Sequence, residues 1–214
     1  MAAVLTTTSK QMQLPKFLAG DVILFAGRGD LYSRFSRWLM RLSGESPTYA
    51  VHTAQFLDEH RILEMDVVGR IKTVEDLLNN RVTLNTWQRR GFEVWRCRTL
   101  TDRQRAALTR QLLTYVKIRF GFAKVFMHLF DGLISRIAHK DVFLCRRLDD
   151  GYPTCSEITA EVYDKALRYR FGVPPECADP DHIHDWVEAH PDEWVRVFCL
   201  QEYRQSQECS SFEL

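Results

Sequence analysis

No charge of either sign dominates this sequence. Lys and Arg number 29 against 28 Asp and Glu, a formal balance of +1 over 214 residues. There is no basic field to hold nucleic acid and no acidic solvating tail. Long apolar runs are also missing: no uncharged stretch approaches the roughly 18 residues a membrane span needs. The first twenty residues include Lys10 and Lys16 and lack the continuous apolar segment of an export signal. A cytoplasmic protein without a transmembrane segment is expected. The six cysteines, Cys97, Cys145, Cys155, Cys177, Cys199 and Cys209, form no C-x-x-C pair and no zinc spacing. Free thiols, and no metal or other cofactor, are therefore expected. His182 and His184 stand two apart on one expected helix, point to different sides and make no ligand pair. Gly27-Arg28-Gly29-Asp30 is too short and wrongly spaced for a phosphate loop. With no repeat and no low-complexity block, residues 1–214 read as a single domain, with loose tails at 1–16 and 203–214.

What is present is an alternation of short strands with inserted helices, an α+β pattern. Val22 to Ala26 is a short apolar run that reads as a buried strand, and Leu31 to Leu42 has helical periodicity. Thr48 to Leu57 reads as a strand that places Ala50, His52, Ala54 and Phe56 on one face. Asp58 to Arg61 is a polar hairpin loop. Ile62 to Val68 reads as the returning strand, with Glu64 on the face of Ile62 and Asp66. A tight hairpin sets His52 and Glu64 on neighbouring strands, and the register decides whether they meet. Thr73 to Leu78 reads as a short capped helix, Phe92 to Cys97 as a strand, and Thr101 to Gln104 as a capping box that opens a helix to about Val116. Residues 118–138 are dense in Phe and read either as core helices or as an apolar wall beside a site. Asp179-Pro180 reads as a helix start, and Trp194 to Leu200 as a final strand.

Chemistry concentrates at Tyr152-Pro153-Thr154-Cys155-Ser156-Glu157-Ile158. Thr154 followed by Glu157 is a capping box, which makes Cys155 the first residue of a helix. Unpaired backbone N–H groups and the positive end of the helix dipole then lie beside its sulfur. That setting can lower a thiol from roughly 8.5 into a range of about 3.5–7.5, and the same N–H groups can hold an oxyanion. With His52 as base and Glu64 to orient it, Cys155 completes a thiol–imidazole–carboxylate set suited to acyl chemistry. Tyr152 and Tyr49 are weaker candidates for the oxyanion or substrate contact.

These pieces resemble the circularly permuted papain-like amidases of the NlpC superfamily, of the YiiX and YaeF type, which are related at fold level to lecithin:retinol acyltransferase. The likeness rests on Ala19-Gly20-Asp21-Val22-Ile23, Tyr49-Ala50-Val51-His52, Ile62-Leu63-Glu64 and Cys155-Ser156-Glu157-Ile158, in the order histidine, acid, cysteine. It implies a permuted papain-like fold in which a small antiparallel sheet or barrel packs against the Cys155 helix. It also implies Cys155 as nucleophile, His52 as general base and Glu64 as orienting residue. The expected function is hydrolysis of an amide bond, in a peptidoglycan-type peptide or other small amide, through an acyl-thioester. The alternatives are acyl transfer or thioester cleavage on a lipid-like substrate, and a non-catalytic binding module on the same fold.

Overall fold

Residues 13–26, 50–65, 67–78, 91–121, 124, 134 and 151–211 are described by the structure, a computed structural model. Six strands form one antiparallel sheet: β1 (Val22–Ala26), β2 (Ala50–Phe56), β3 (Arg61–Met65), β4 (Gly69–Thr73), β5 (Phe92–Cys97) and β6 (Trp194–Cys199), in the order β4-β3-β2-β1-β5-β6. The described helices are α1 (Val74–Leu78), α2 (Asp102–Leu113), α3 (Cys155–Leu167), α4 (Pro180–Ala189) and α5 (Leu200–Ser211).

The sheet is buried on both faces, which explains why β1 reads as a continuous apolar run. On one face Val22, Leu24, Leu63, Met65 and Trp95 pack against Leu108 and Leu112 of α2, Ile158 and Val162 of α3, and Ile183 and Val187 of α4. On the other, Ile23, Phe25, Ala54, Phe56, Phe92 and Phe198 form a second core, against which Leu77 of α1 and Tyr203 of α5 pack. At roughly 25 cal/mol per Å² of apolar surface removed from water, these two layers are the main source of stability.

Local chemistry sets the element ends. Asp21 is fully buried just before β1. It accepts the Leu18 N–H at 2.9 Å and lies 2.6 Å from Arg96 Nη2 and 3.5 Å from Arg105 Nη1. Thr101 and Gln104 cap α2 reciprocally, and Thr73 and Asp76 bond each other in front of α1. Asp179 caps α4 by accepting the His182 N–H at 2.7 Å, with Pro180 as the first helical residue.

Two expectations need correction. The returning strand expected over Ile62 to Val68 stops at Met65, and a further edge strand, β4, follows. Glycine stands at position 69, the first residue of β4, where a Cβ would lie 2.1 Å from the Tyr115 carbonyl oxygen. The tail expected from residue 203 is helical through Ser211, and Tyr203 packs on Phe198 with ring centroids 5.6 Å apart. The helix expected at 31–42 and most of the Phe-rich stretch at 118–138 lie outside the described residues. No helix among the described residues is long and apolar enough to cross a membrane.

Candidate active site

The site begins with the cap. Thr154 has extended backbone geometry, and its side chain accepts the Glu157 N–H at 3.2 Å. The Glu157 carboxylate in turn accepts the Thr154 N–H at 3.2 Å. This capping box makes Cys155 the first residue of α3, 7% exposed, with the helix mouth around it.

The hairpin delivers the other two groups. In the β2–β3 ladder Phe56 pairs with Ile62 and Ala54 with Glu64. His52 and Glu64 are therefore diagonal neighbours on one face of the sheet, within reach of long side chains. His52 Nε2 lies 3.3 Å from Glu64 Oε1, and both side chains are buried. Past Ala54 β2 remains paired with β1, with Phe25 opposite His52 and a register shift before Ala26 and Ala50. The His52 ring rests against Phe25, centroids 5.3 Å apart.

Cys155 comes from the start of α3 and meets His52 where the β2–β3 ladder ends. Burial would raise its thiol, but the charge and hydrogen bond of His52 and the backbone N–H groups of Thr53 and Ser156 hold it below the ordinary thiol value. Burial would likewise keep His52 neutral, yet charge and hydrogen-bond interactions with Cys155, and then with Glu64, raise it to about 10. Burial pushes Glu64 upward, but His52 and Lys72 hold it down at about 2. The three shifts act together, favouring thiolate, imidazolium and carboxylate in series.

Lys72 was not foreseen. Its Nζ lies 2.6 Å from Glu64 Oε2, so Glu64 is held between two cations. Lys72 pairs with Ile62 across β3–β4 and so shares the face of Glu64. The signal was in the sequence, but reading residues 62–68 as one strand concealed it. Tyr152, at 41% exposed, stands at the entrance to the helix; Tyr49 lies outside the described residues.

Behind the sulfur is a cavity of about 10 Å³, room for roughly one water, lined by Thr53, Gln55, Leu63, Met65, Leu112 and Cys155 among others. Gln55 donates its amide to the Thr159 carbonyl at 3.2 Å. Its Oε1 is buried with no hydrogen-bond partner among the described residues.

A different donor set lies on α4. Asp181, His184 and Asp185 each place one ligand-type atom within 4.8 Å of the others; the first two are buried and the third is exposed. Asp181 Oδ1 accepts the Ala50 N–H at 3.2 Å, which ties α4 to the start of β2. His184 Nε2 lies 3.7 Å from Glu93 and 3.6 Å from Glu188. Pairing His184 with His182 hid this set; the spacing i, i+3, i+4 would have shown it.

No family model matches the sequence, and no curated protein matches it. Among solved structures the chain is similar to the metalloprotein YiiX from Escherichia coli O157:H7, DUF1105. The TM-score is 0.53 at 16% identity, covering 86% of this chain and 97% of that one. A likeness at this identity is one of fold, and it agrees with the YiiX-type resemblance of the sequence motifs.

Proposed function

We propose that this chain is a cysteine hydrolase on a permuted papain-like scaffold of the NlpC superfamily, with an amide as substrate. The observation that carries the reading is the continuous series Cys155, His52, Glu64, Lys72, buried and joined at hydrogen-bond or ion-pair contact. A structural cysteine needs none of these partners.

In this reading the Cys155 thiolate attacks the substrate carbonyl carbon. The oxyanion rests on N–H groups at the mouth of α3, the Cys155 N–H among them. With Nε2 turned to Glu64, Nδ1 is the nitrogen that serves the sulfur. His52 gives its proton to the amine nitrogen as the C–N bond breaks, and an acyl-thioester remains on Cys155. Neutral His52 then takes a proton from water as the hydroxide adds to the thioester. Collapse releases the carboxylic acid, and the proton on His52 balances the regenerated thiolate. Glu64 fixes the ring and stabilises its charged form throughout.

Intact-mass spectrometry after incubation with three donor classes tests this: small peptide amides, fatty-acyl esters and fatty-acyl thioesters. A transient acyl adduct on Cys155 from amides, with free amine released, supports the hydrolase. An adduct from lipid donors alone moves the assignment to acyl transfer or thioester cleavage. No adduct from any donor, together with full biological effect of the Cys155→Ala variant, identifies a binding module.

A second reading concerns metal. The YiiX structure is described as a metalloprotein, and Asp181, His184 and Asp185 form a mixed carboxylate–imidazole set. The fit is partial. Asp181 already serves the Ala50 N–H, and the positive end of the α4 dipole opposes a cation. Metal analysis of the purified chain, with His184→Ala for comparison, decides it. Stoichiometric metal lost in the variant supports the reading, and metal-free wild-type protein after dialysis against zinc ends it.

A further inference from the structure

Glu157 creates an electrostatic problem that the proposed chemistry does not solve. The capping box requires Glu or Gln at its position to accept the Thr154 N–H. Glu supplies a carboxylate, 8% exposed, in the same helical turn as the Cys155 sulfur. A carboxylate buried in the same turn as a thiol favours the protonated thiol through the low-dielectric interior. Two negative charges in one buried turn would oppose the state that the nucleophile needs.

Lys124 answers that charge. It is 6% exposed, and its Nζ contacts both carboxylate oxygens of Glu157, at 2.8 Å and 3.1 Å. The backbone brings it there. The Gly121 N–H donates to the Pro153 carbonyl at 3.0 Å, and the Lys124 N–H donates to the Gly121 carbonyl at 3.1 Å. Gly121 lies so close to the helix entrance that a Cβ would be 2.1 Å from the Tyr152 carbonyl oxygen. Gly121 and Lys124 are thus both tied to the mouth of α3, and the lysine ammonium reaches Glu157.

Among the described residues, the other charged groups on the elements that pack near Cys155 already have tasks. From β2 comes His52, its direct partner; from β3 comes Glu64, occupied by His52 and by Lys72 of β4. Further along α3, Glu161 accepts the Tyr115 hydroxyl and pairs with Lys165. From α4, Asp181 accepts the Ala50 N–H. Among these groups, Lys124 is the cation that contacts Glu157.

We propose that Lys124 is a positioning residue for the nucleophile: by holding both oxygens of Glu157 it cancels the second negative charge of the first turn, leaving the sulfur as the net anion at the helix mouth. The proposal rests on the reading of Cys155 as a reactive thiol, whatever its substrate.

The test is the pH dependence of Cys155 alkylation by iodoacetamide, followed by peptide mapping from about pH 4 to about pH 10, which spans the range of perturbed thiols. Wild type, Lys124→Met, Lys124→Arg, Glu157→Gln and the Lys124→Met/Glu157→Gln double variant are compared, each with its melting temperature. Lys124→Met should raise the alkylation midpoint by up to about 1 pH unit, the low end of what a single charge does. Lys124→Arg should hold the wild-type midpoint. The double variant should restore it, because a Gln still completes the capping box. Glu157→Gln alone should leave the midpoint at or below wild type. An unchanged midpoint in Lys124→Met with a lowered melting temperature makes Lys124 merely structural and overturns the proposal. If Lys124→Met does not fold, a raised midpoint in Glu157→Gln overturns it instead. An ordinary thiol midpoint in wild type overturns the parent reading of Cys155, a different result from either.

Discussion

Glu64 Oε1 stands 3.3 Å from His52 Nε2, on the same face of the sheet, with His52 two residues before Ala54, the ladder partner of Glu64. The Ala54–Glu64 register makes this contact possible; a slip of one residue would turn the carboxylate to the opposite face. Substitution by Gln keeps the shape and removes the charge. Glu64→Gln should lower the upper limit of the imidazolium, which stands at about 10 in the native protein, and remove the carboxylate that Lys72 contacts. NMR titration of the His52 ring in both proteins checks this. An unshifted His52 in the variant removes Glu64 from the orienting role.

The same pair makes stability depend on pH, with a definite sign. Glu64 has a native value of about 2, below its ordinary 4.5. Its contribution is therefore complete above about pH 4.5 and is lost as pH falls from there towards about 2. His52 is raised from 6.5 to about 10, so its contribution is complete below about 6.5 and fades as pH climbs through about 10. Urea unfolding at several pH values should show wild type losing stability towards acid more steeply than Glu64→Gln. Parallel acid limbs would contradict the buried-pair geometry.

Thiol chemistry provides an independent check. Among the described residues Cys97, Cys155, Cys177 and Cys199 are all buried, so burial alone predicts equal sluggishness. Cys155 differs in having His52 and two backbone N–H groups at its sulfur. It should therefore alkylate faster than the others near about pH 6, where an ordinary thiol is almost fully protonated. His52→Ala should abolish the difference. Uniform labelling in wild type, read by peptide mapping, would leave the site without a nucleophile.

The sequence announced the Cys155 helix because its cap is local: Thr154 and Glu157 lie within one turn, and the bonds they make depend on nothing distant. His52 and Glu64 were legible for the same reason, since a tight hairpin leaves few registers. The partners of Lys72, Lys124 and Asp181 were not. Each residue reaches its partner from elsewhere in the chain: from an edge strand of mostly exposed residues, from 33 residues upstream, and from a helix 131 residues away. Periodicity shows which residues are buried on an element, whereas pairing between elements is set by packing. The resemblance drew attention to Gly20-Asp21, but the clasp of Arg96 and Arg105 on Asp21 also spans distant sequence.

That clasp yields a stability prediction far from the chemistry. Asp21 is fully buried and holds Arg96, Arg105 and the Leu18 N–H at the point where β1 begins. Removing one partner of a buried ion pair leaves uncompensated charge and costs about 3–5 kcal/mol. Asp21→Asn should lower the urea midpoint by a corresponding amount. In protein that remains folded, Cys155 alkylation should keep its wild-type pH profile. A stability change within about 0.5 kcal/mol, the ordinary surface range, would mean that the two arginines do not depend on Asp21.

Thr154 links stability and reactivity in one side chain. Its hydroxyl oxygen accepts the Glu157 N–H, and its backbone N–H is accepted by the Glu157 carboxylate. Thr154→Ala removes the first bond and leaves the second, so helix stability should drop by about 1 kcal/mol, the usual worth of such a cap. Thr154→Ser should recover most of that loss. The first turn also positions the N–H groups around the Cys155 sulfur, so fraying it weakens their hold on the thiolate. Thr154→Ala should accordingly move the Cys155 alkylation midpoint upward, and Thr154→Ser should leave it in place. Thermal melts and alkylation profiles on the same three proteins separate the effects. A destabilised Thr154→Ala variant with an unmoved midpoint would show that His52 alone maintains the thiolate and that the helix mouth contributes nothing to it.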